Sequence, residues 1–310
     1  MIATWARFFR VQTLGATAMA PVLGAAVAIG LDIRLVWIFI WGALVHLFGF
    51  GFNNWCDREH DKLSKHHSNP IARGELDADE ALRLISVVWL AQWLLPLLFL
   101  QTALYPVYGA MLSMNLFGTA YNMWSKKIRW SGFLLGGWSA TLTLSGFIFF
   151  STDINRIILI LCVIAFMQCW CQWIEGLVKD AKTENNLWKI ISVKMSFWAF
   201  VFLWISKAAQ LFSLDAFADE FLNADPIIMG SAFAAMLLSI FIWYKISVES
   251  DRSRLLKLSG VHEIIIYAAP VLMLSAIIGW QGSVLFLLIP LLFYLEINRA
   301  LYGHAGRPDV

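Results

Sequence analysis

Asn53, Asp57 and Asp61 recur at intervals of four in GFNNWCDREHDKLSKHHSNPIARGEL (51–76), directly after a long apolar run. On a helix each step of four drifts by only about 40°, so the three share one face. Hard oxygen donors stacked this way suit a hard cation such as Mg2+. That ion uses one or two carboxylates and completes its shell with water and substrate phosphates. A second cluster, EGLVKDAKTENN (175–186), repeats the spacing in Asp180 and Glu184, with Glu175 about a turn and a half upstream. Glu175 reads equally as a ligand or as an acid paired with Lys179 one turn on. Lys179 and Lys182 lie among these acids and would give charge-assisted contacts to diphosphate oxygens. Two such clusters facing across a cavity would hold two metal ions, and the ions a diphosphate. YNMWSKKIR (121–129) adds a cationic segment between them. His60, His66 and His67 stand in the same charged stretch as the first cluster and read as solvated rather than as ligands.

The elements that must carry these residues are membrane helices. Of 310 residues, 60% are hydrophobic and 14% charged, against roughly 45–50% and 25% in soluble domains. A soluble core could not hide so much apolar surface. Sixteen tryptophans suit bilayer interfaces. A net charge of +2 argues against nucleic acid as a partner. Four cysteines, three of them inside one apolar run, give neither a disulfide framework nor a metal-ligand spacing. The N-terminus, MIATWARFFRVQTLG, reads as a basic segment leading into the first span rather than a cleavable signal.

Spans are expected near 12–30, 35–53, 82–103, 106–124, 131–151, 157–178, 188–212, 226–247, 261–280 and 283–301. The last two are divided only at WQGS (280–283), so nine or ten helices fit. The fold class is thus an all-α, polytopic helical bundle, read as one membrane domain over 1–310. The two acidic motifs lie in its loops at 53–61 and 175–184 and hint at a degenerate internal repeat.

Loop charge alternates. One set carries Arg7 and Arg10; Arg58, Lys62, Lys65 and Arg73; Lys126, Lys127 and Arg129; Lys179, Lys182 and Lys189; Lys245, Arg252, Arg254 and Lys257; then Arg299 and Arg307. The opposite set holds Arg34, Arg156 and Lys207, with the acidic stretch Asp215, Asp219, Glu220 and Asp225. Positive loops remain cytoplasmic; with ten helices every strongly basic loop, both acidic motifs and both termini fall on that side, a consistency that favours ten.

The run N-x-x-x-D-x-x-x-D followed by NPIARGEL resembles the first signature of the UbiA superfamily of intramembrane prenyltransferases. YNMWSKKIR sits where that family has a tyrosine and basic residues, and EGLVKDAKTE is similar to its second acidic motif. The resemblance covers residues 50 to 190. It implies an enzyme that binds a polyprenyl diphosphate through Mg2+, ionises the allylic C–O bond and directs the cation to a hydrophobic or aromatic acceptor. The prenyl tail would lie in a lipid-facing tunnel.

On that mapping Asn53, Asp57 and Asp61 form the first metal site, and Asp180, Glu184 and Glu175 the second. Asp57, Asp61, Asp180 and Tyr121 take catalytic roles. Asn53, Arg58, Arg73, Lys126, Lys127 and Lys179 bind the donor. Trp55, Trp124 and Trp173 join Tyr121 as aromatic candidates for shielding the cation. Three positions depart from the family pattern: Asn54 stands for an aspartate, Asn69 for an arginine before the proline, and Glu184 for an aspartate. The same two motifs would also serve a terpene cyclase or a polyprenyl-phosphate phosphoribosyltransferase. A transporter is disfavoured, because the acids cluster at helix ends rather than at mid-span.

Overall fold

The computed structural model describes residues 1–63, 69–125, 127–128 and 131–155, together with most of 157–173 and of 226–302. Among the described residues the architecture is helical throughout. The helices are α1 (Ile2–Phe8), α2 (Leu14–Ile29), α3 (Leu35–Lys62), α4 (Ala78–Leu94), α5 (Leu104–Trp124) and α6 (Ser131–Ile148). A shorter apolar helix, α7 (Ile157–Trp170), follows, then α8 (Pro226–Val248) and α9 (Ser275–Tyr302). Segments Val11–Ile29, Leu35–Lys62 and Ala78–Leu98 are long and apolar enough to cross a bilayer. The chain is a polytopic integral membrane protein, as its composition requires.

Two boundaries differ from the sequence expectation. Helix α3 does not end with its apolar run near 53 but continues to Lys62. No proline or glycine interrupts residues 52–62, and a Glu59–Lys62 pair 2.9 Å apart supports the last turn. Twenty-eight residues span about 42 Å, more than the roughly 30 Å hydrocarbon core, so the final turns emerge into the headgroup region. The first acidic motif therefore rides on a rigid helix end rather than on a loop. At the other end of the chain, α9 runs unbroken through 280–283, so the expected division at WQGS is absent.

Contacts divide the chain into two compact units, Met1–Phe166 with Leu288–Val310, and Met167–Leu287. In the first, α2 and α6 cross through glycines. A Cβ on Gly24 would strike the Thr143 carbonyl, and one on Gly146 the Pro21 carbonyl. Gly42 lets α3 approach α2, its Cβ position lying 2.8 Å from the Ala18 carbonyl oxygen. Such small-residue crossings replace the hydrophobic drive that lipid cannot supply. Neutral hydrogen bonds tie α3, α4 and α5: Trp41 Nε1 donates to the Gln92 carbonyl (2.9 Å), and Gln92 Nε2 to Asn115 Oδ1 (2.7 Å). Asp77 caps α4, accepting from the backbone of Asp79 and Glu80 at 3.0 and 2.8 Å.

The basic N-terminal segment is folded. In α1 and just after it, Trp5, Phe8 and Phe9 form an aromatic cluster packed on Ile71, Ala81 and Ile85. The chain then reverses at Arg10, whose φ of 47° is left-handed. The fully buried His46 of α3 fastens this turn, its Nε2 donating to the carbonyls of Phe9 (3.0 Å) and Arg10 (3.2 Å). In the second unit, the buried Ser239 of α8 meets His262 Nε2 at 3.1 Å, and the imidazole stacks on Trp243.

Candidate active site at the end of helix α3

The four-residue period begins one turn before the acidic motif, at Gly49, so one face of α3 presents Gly49, Asn53, Asp57 and Asp61 in order of approach to the membrane edge. Helix α5 runs beside it. Asn53 Nδ2 donates to Asn122 Oδ1 (3.3 Å), and Asn122 Nδ2 donates to the Gly49 carbonyl (3.0 Å). This rung engages the Asn53 amide nitrogen and leaves its Oδ1 as the atom for a cation. Asp57 and Asp61 are both partly buried.

Asn69 supports Asp61. It is 3% exposed, and its Nδ2 donates to Asp61 Oδ2 (3.0 Å) and to the Asn54 carbonyl (2.7 Å). Its Oδ1 accepts from the Ile71 backbone N–H (3.1 Å). The chain returning from α3 is thereby stitched to the helix, and the carboxylate is held in one orientation. Asn54, also buried, points the other way: its Nδ2 donates to the Phe8 carbonyl, and its Oδ1 receives Arg10 Nη2 at 3.5 Å. Two departures from the family pattern thus share one hydrogen-bonded network behind the acidic face.

The cations sort themselves. Arg58 lies over the Trp55 ring at 4.1 Å, donates to the Trp55 carbonyl (2.6 Å) and sits 3.7 Å from Glu59. Arg73 and Arg7 both pair with Glu75, at 2.9 and 2.7 Å. A phosphate contact from Arg58 or Arg73 would exchange these partners for the ligand. Lys127 is exposed just beyond α5, and Tyr121 is partly buried in its last turn, next to Asn122. Among the aromatic candidates, Trp55 is taken up by Arg58, and Trp124 is 46% exposed. Lys126, Glu175, Lys179, Asp180 and Glu184 lie outside the described residues, as do His66 and His67.

No three His, Cys, Asp or Glu side chains converge among the described residues. The stripe on α3 offers one amide oxygen and two carboxylates. Such a set fits Mg2+, which binds few protein ligands and fills its octahedron with water and phosphate. The sequence reading missed Asn122, although it lies within the YNMW segment, and treated Asn69 only as a departure from the family's arginine. What each does depends on neighbours distant in the chain.

A model of the UbiA prenyltransferase family matches residues 13–261. No curated protein sequence matches. Solved structures share the fold. A digeranylgeranylglyceryl phosphate synthase structure aligns with TM-score 0.65 and 18% identity, over 90% of this chain and 99% of that one. A UbiA homologue from Archaeoglobus fulgidus bound to GPP and Mg2+ gives 0.60 and 15%, over 88% and 99%. The apo UbiA homologue from Aeropyrum pernix K1 gives 0.62 and 12%, over 87% and 98%.

Proposed function

Because the chain belongs to the UbiA prenyltransferase family, and so is a membrane-embedded transferase of prenyl groups, we propose the following reaction. It ionises a polyprenyl diphosphate bound through Mg2+ and passes the prenyl group to a hydrophobic or aromatic acceptor. The observation that carries this reading is the single stripe of Asn53, Asp57 and Asp61, with Asp61 held by the buried Asn69. The A. fulgidus homologue was captured with GPP and with DMAPP, each together with Mg2+, and we assign the same donor class here.

When bound, Mg2+ supplies Lewis-acid stabilisation of the charge that builds on the departing diphosphate. Asn53, Asp57 and Asp61 would hold the first ion, and Asp180, Glu184 and Glu175 a second. Lys126, Lys127 and Lys179 add charge-assisted donors to the phosphate oxygens, joined by Arg58 and Arg73 if they release their present partners. The allylic C1–O bond breaks with its electron pair leaving on the diphosphate. The acceptor supplies the pair for the new bond to C1 and loses a proton. Tyr121 stands at the level of Asn122, where its ring would shield the cation. Exclusion of water from the site would preserve that cation until the acceptor is reached. On the loop-charge argument the site opens to the cytoplasm.

The test is diphosphate release from geranylgeranyl diphosphate by purified protein, with Mg2+ or EDTA and with or without an acceptor mixture. Release is expected to need Mg2+ and to fall by at least about 1,000-fold in Asp57→Ala, since a lost metal ligand removes transition-state stabilisation. Mass spectrometry of the product separates transfer from cyclisation. Release that survives EDTA and Asp57→Ala would sink the metal assignment. Phosphate-ribose transfer to a polyprenyl phosphate, without release from the diphosphate, would redirect the reading to a phosphoribosyltransferase.

A further inference from the structure

One turn deeper than the Asn53–Asn122 rung, both helices carry glycine: Gly49 on α3 and Gly118 on α5, each four residues before its asparagine. A single side chain, Trp138 of α6, occupies the space the two glycines leave. A Cβ on Gly118 would lie 2.9 Å from Trp138 Cδ1 and 3.2 Å from its Nε1, and one on Gly49 would lie 4.0 Å from its Cζ2. Any side chain at 118 would push the indole away, so its seat is built by that glycine. Trp138 is partly exposed, whereas Trp41 and Trp243 are fully buried. Part of the indole surface therefore remains uncovered.

Resting on the prenyl-transfer reading above, we propose that Trp138 is the residue on which the reacting end of the prenyl donor lies, its ring facing the first isoprene unit. The placement follows from the register of α3. Four residues advance the helix about 6 Å, so Gly49 lies about 6 Å below Asn53 and about 12 Å below Asp57. A diphosphate held by Asn53, Asp57 and Asp61 delivers C1 of its chain at the depth of the asparagine rung, and the next carbons meet the indole. The aromatic face attracts the positive charge that spreads over the allylic carbons as the C1–O bond breaks. No bond to Trp138 forms. The electron pair leaves with the diphosphate, and the acceptor's pair closes the new bond.

The experiment uses full-length protein in nanodiscs with geranylgeranyl diphosphate, comparing wild type, Trp138→Phe, Trp138→Leu and Asp57→Ala. Trp138→Leu is expected to lower kcat for diphosphate release about tenfold, with the Mg2+ concentration for half-activation unchanged. Trp138→Phe, which keeps an aromatic face, restores most of that loss. Equal kcat per folded molecule in wild type and Trp138→Leu overturns the proposal. So does a Phe variant as impaired as the Leu variant with both thermal midpoints lowered, since that pattern is packing alone. A donor carrying a diazirine in its first isoprene unit gives a readout independent of turnover. Crosslinking to the peptide that contains Trp138 is expected, and labelling confined to other peptides overturns the assignment. Wild type that releases no diphosphate with Mg2+ defeats the prenyl-transfer reading and this inference with it. Release retained in Asp57→Ala defeats the metal assignment alone and leaves the Trp138 comparison readable.

Discussion

Asn69 shows how a neutral side chain can orient a carboxylate. A carboxylate at a helix end can rotate among several rotamers, and a cation selects one of them at an entropic cost. The Asn69 amide removes that freedom by holding Asp61 Oδ2 at 3.0 Å while its own position is fixed by the Asn54 carbonyl and the Ile71 N–H. Partners of this kind change metal affinity by about 10–100-fold when removed. Asn69→Ala is therefore expected to raise the Mg2+ concentration for half-maximal diphosphate release about tenfold. Asn69→Asp should raise it further, because it sets a second carboxylate against Asp61. Titration of activity against Mg2+, with melting curves alongside, checks this. A fall in melting temperature with unchanged Mg2+ dependence would reduce Asn69 to a structural tie.

At the scale of elements, the helix crossings carry the positional accuracy. Gly24 and Gly146 bring α2 and α6 so close that a Cβ on either meets the other helix's backbone. No side chain can move aside to make room, so Gly146→Val must separate the helices. The expected loss is about 3 kcal/mol, the upper end of the overpacking range, read as a lower thermal midpoint in the same detergent and a smaller monodisperse fraction. The same scale shows what sequence reasoning can reach. The stripe Asn53–Asp57–Asp61 was legible because helical period is local, and so were most spans, because bilayer thickness fixes apolar length. The continuation of α3 past its apolar run was not, because hydropathy stops at the membrane surface while helix propensity does not. WQGS looked like a break because a Gly and two polar residues cluster there, yet α9 passes through it. Asn122 and Trp138 were invisible in their roles, since each is defined by glycines or amides on other helices.

For the molecule as a whole, one ion pair bears on which way the protein faces. Arg34 is the basic residue of the α2–α3 connection, and Asp32 grips it through Oδ1 to Nε (2.7 Å) and Oδ2 to Nη2 (2.9 Å). The hydrogen bonds from the Arg34 side chain and backbone hold the Asp32 carboxyl at about 2, so it stays charged throughout the physiological range. That connection therefore carries no net charge. The α5–α6 connection instead holds Lys126, Lys127 and Arg129 with no acid among residues 125–130. Because basic loops are retained in the cytoplasm, the acidic stripe, at the same end of α3 as Lys62, is expected on the cytoplasmic face. Single cysteines at Lys127 and Asp153, in a background lacking the native cysteines, separate the two orientations. A membrane-impermeant maleimide applied outside intact cells should label the 153 variant at least about tenfold more than the 127 variant, since the reagent reaches only the face opposite the retained lysines. The reverse pattern would invert the protein and put its donor site outside the cytoplasm, where the diphosphate would have to be supplied from the other leaflet.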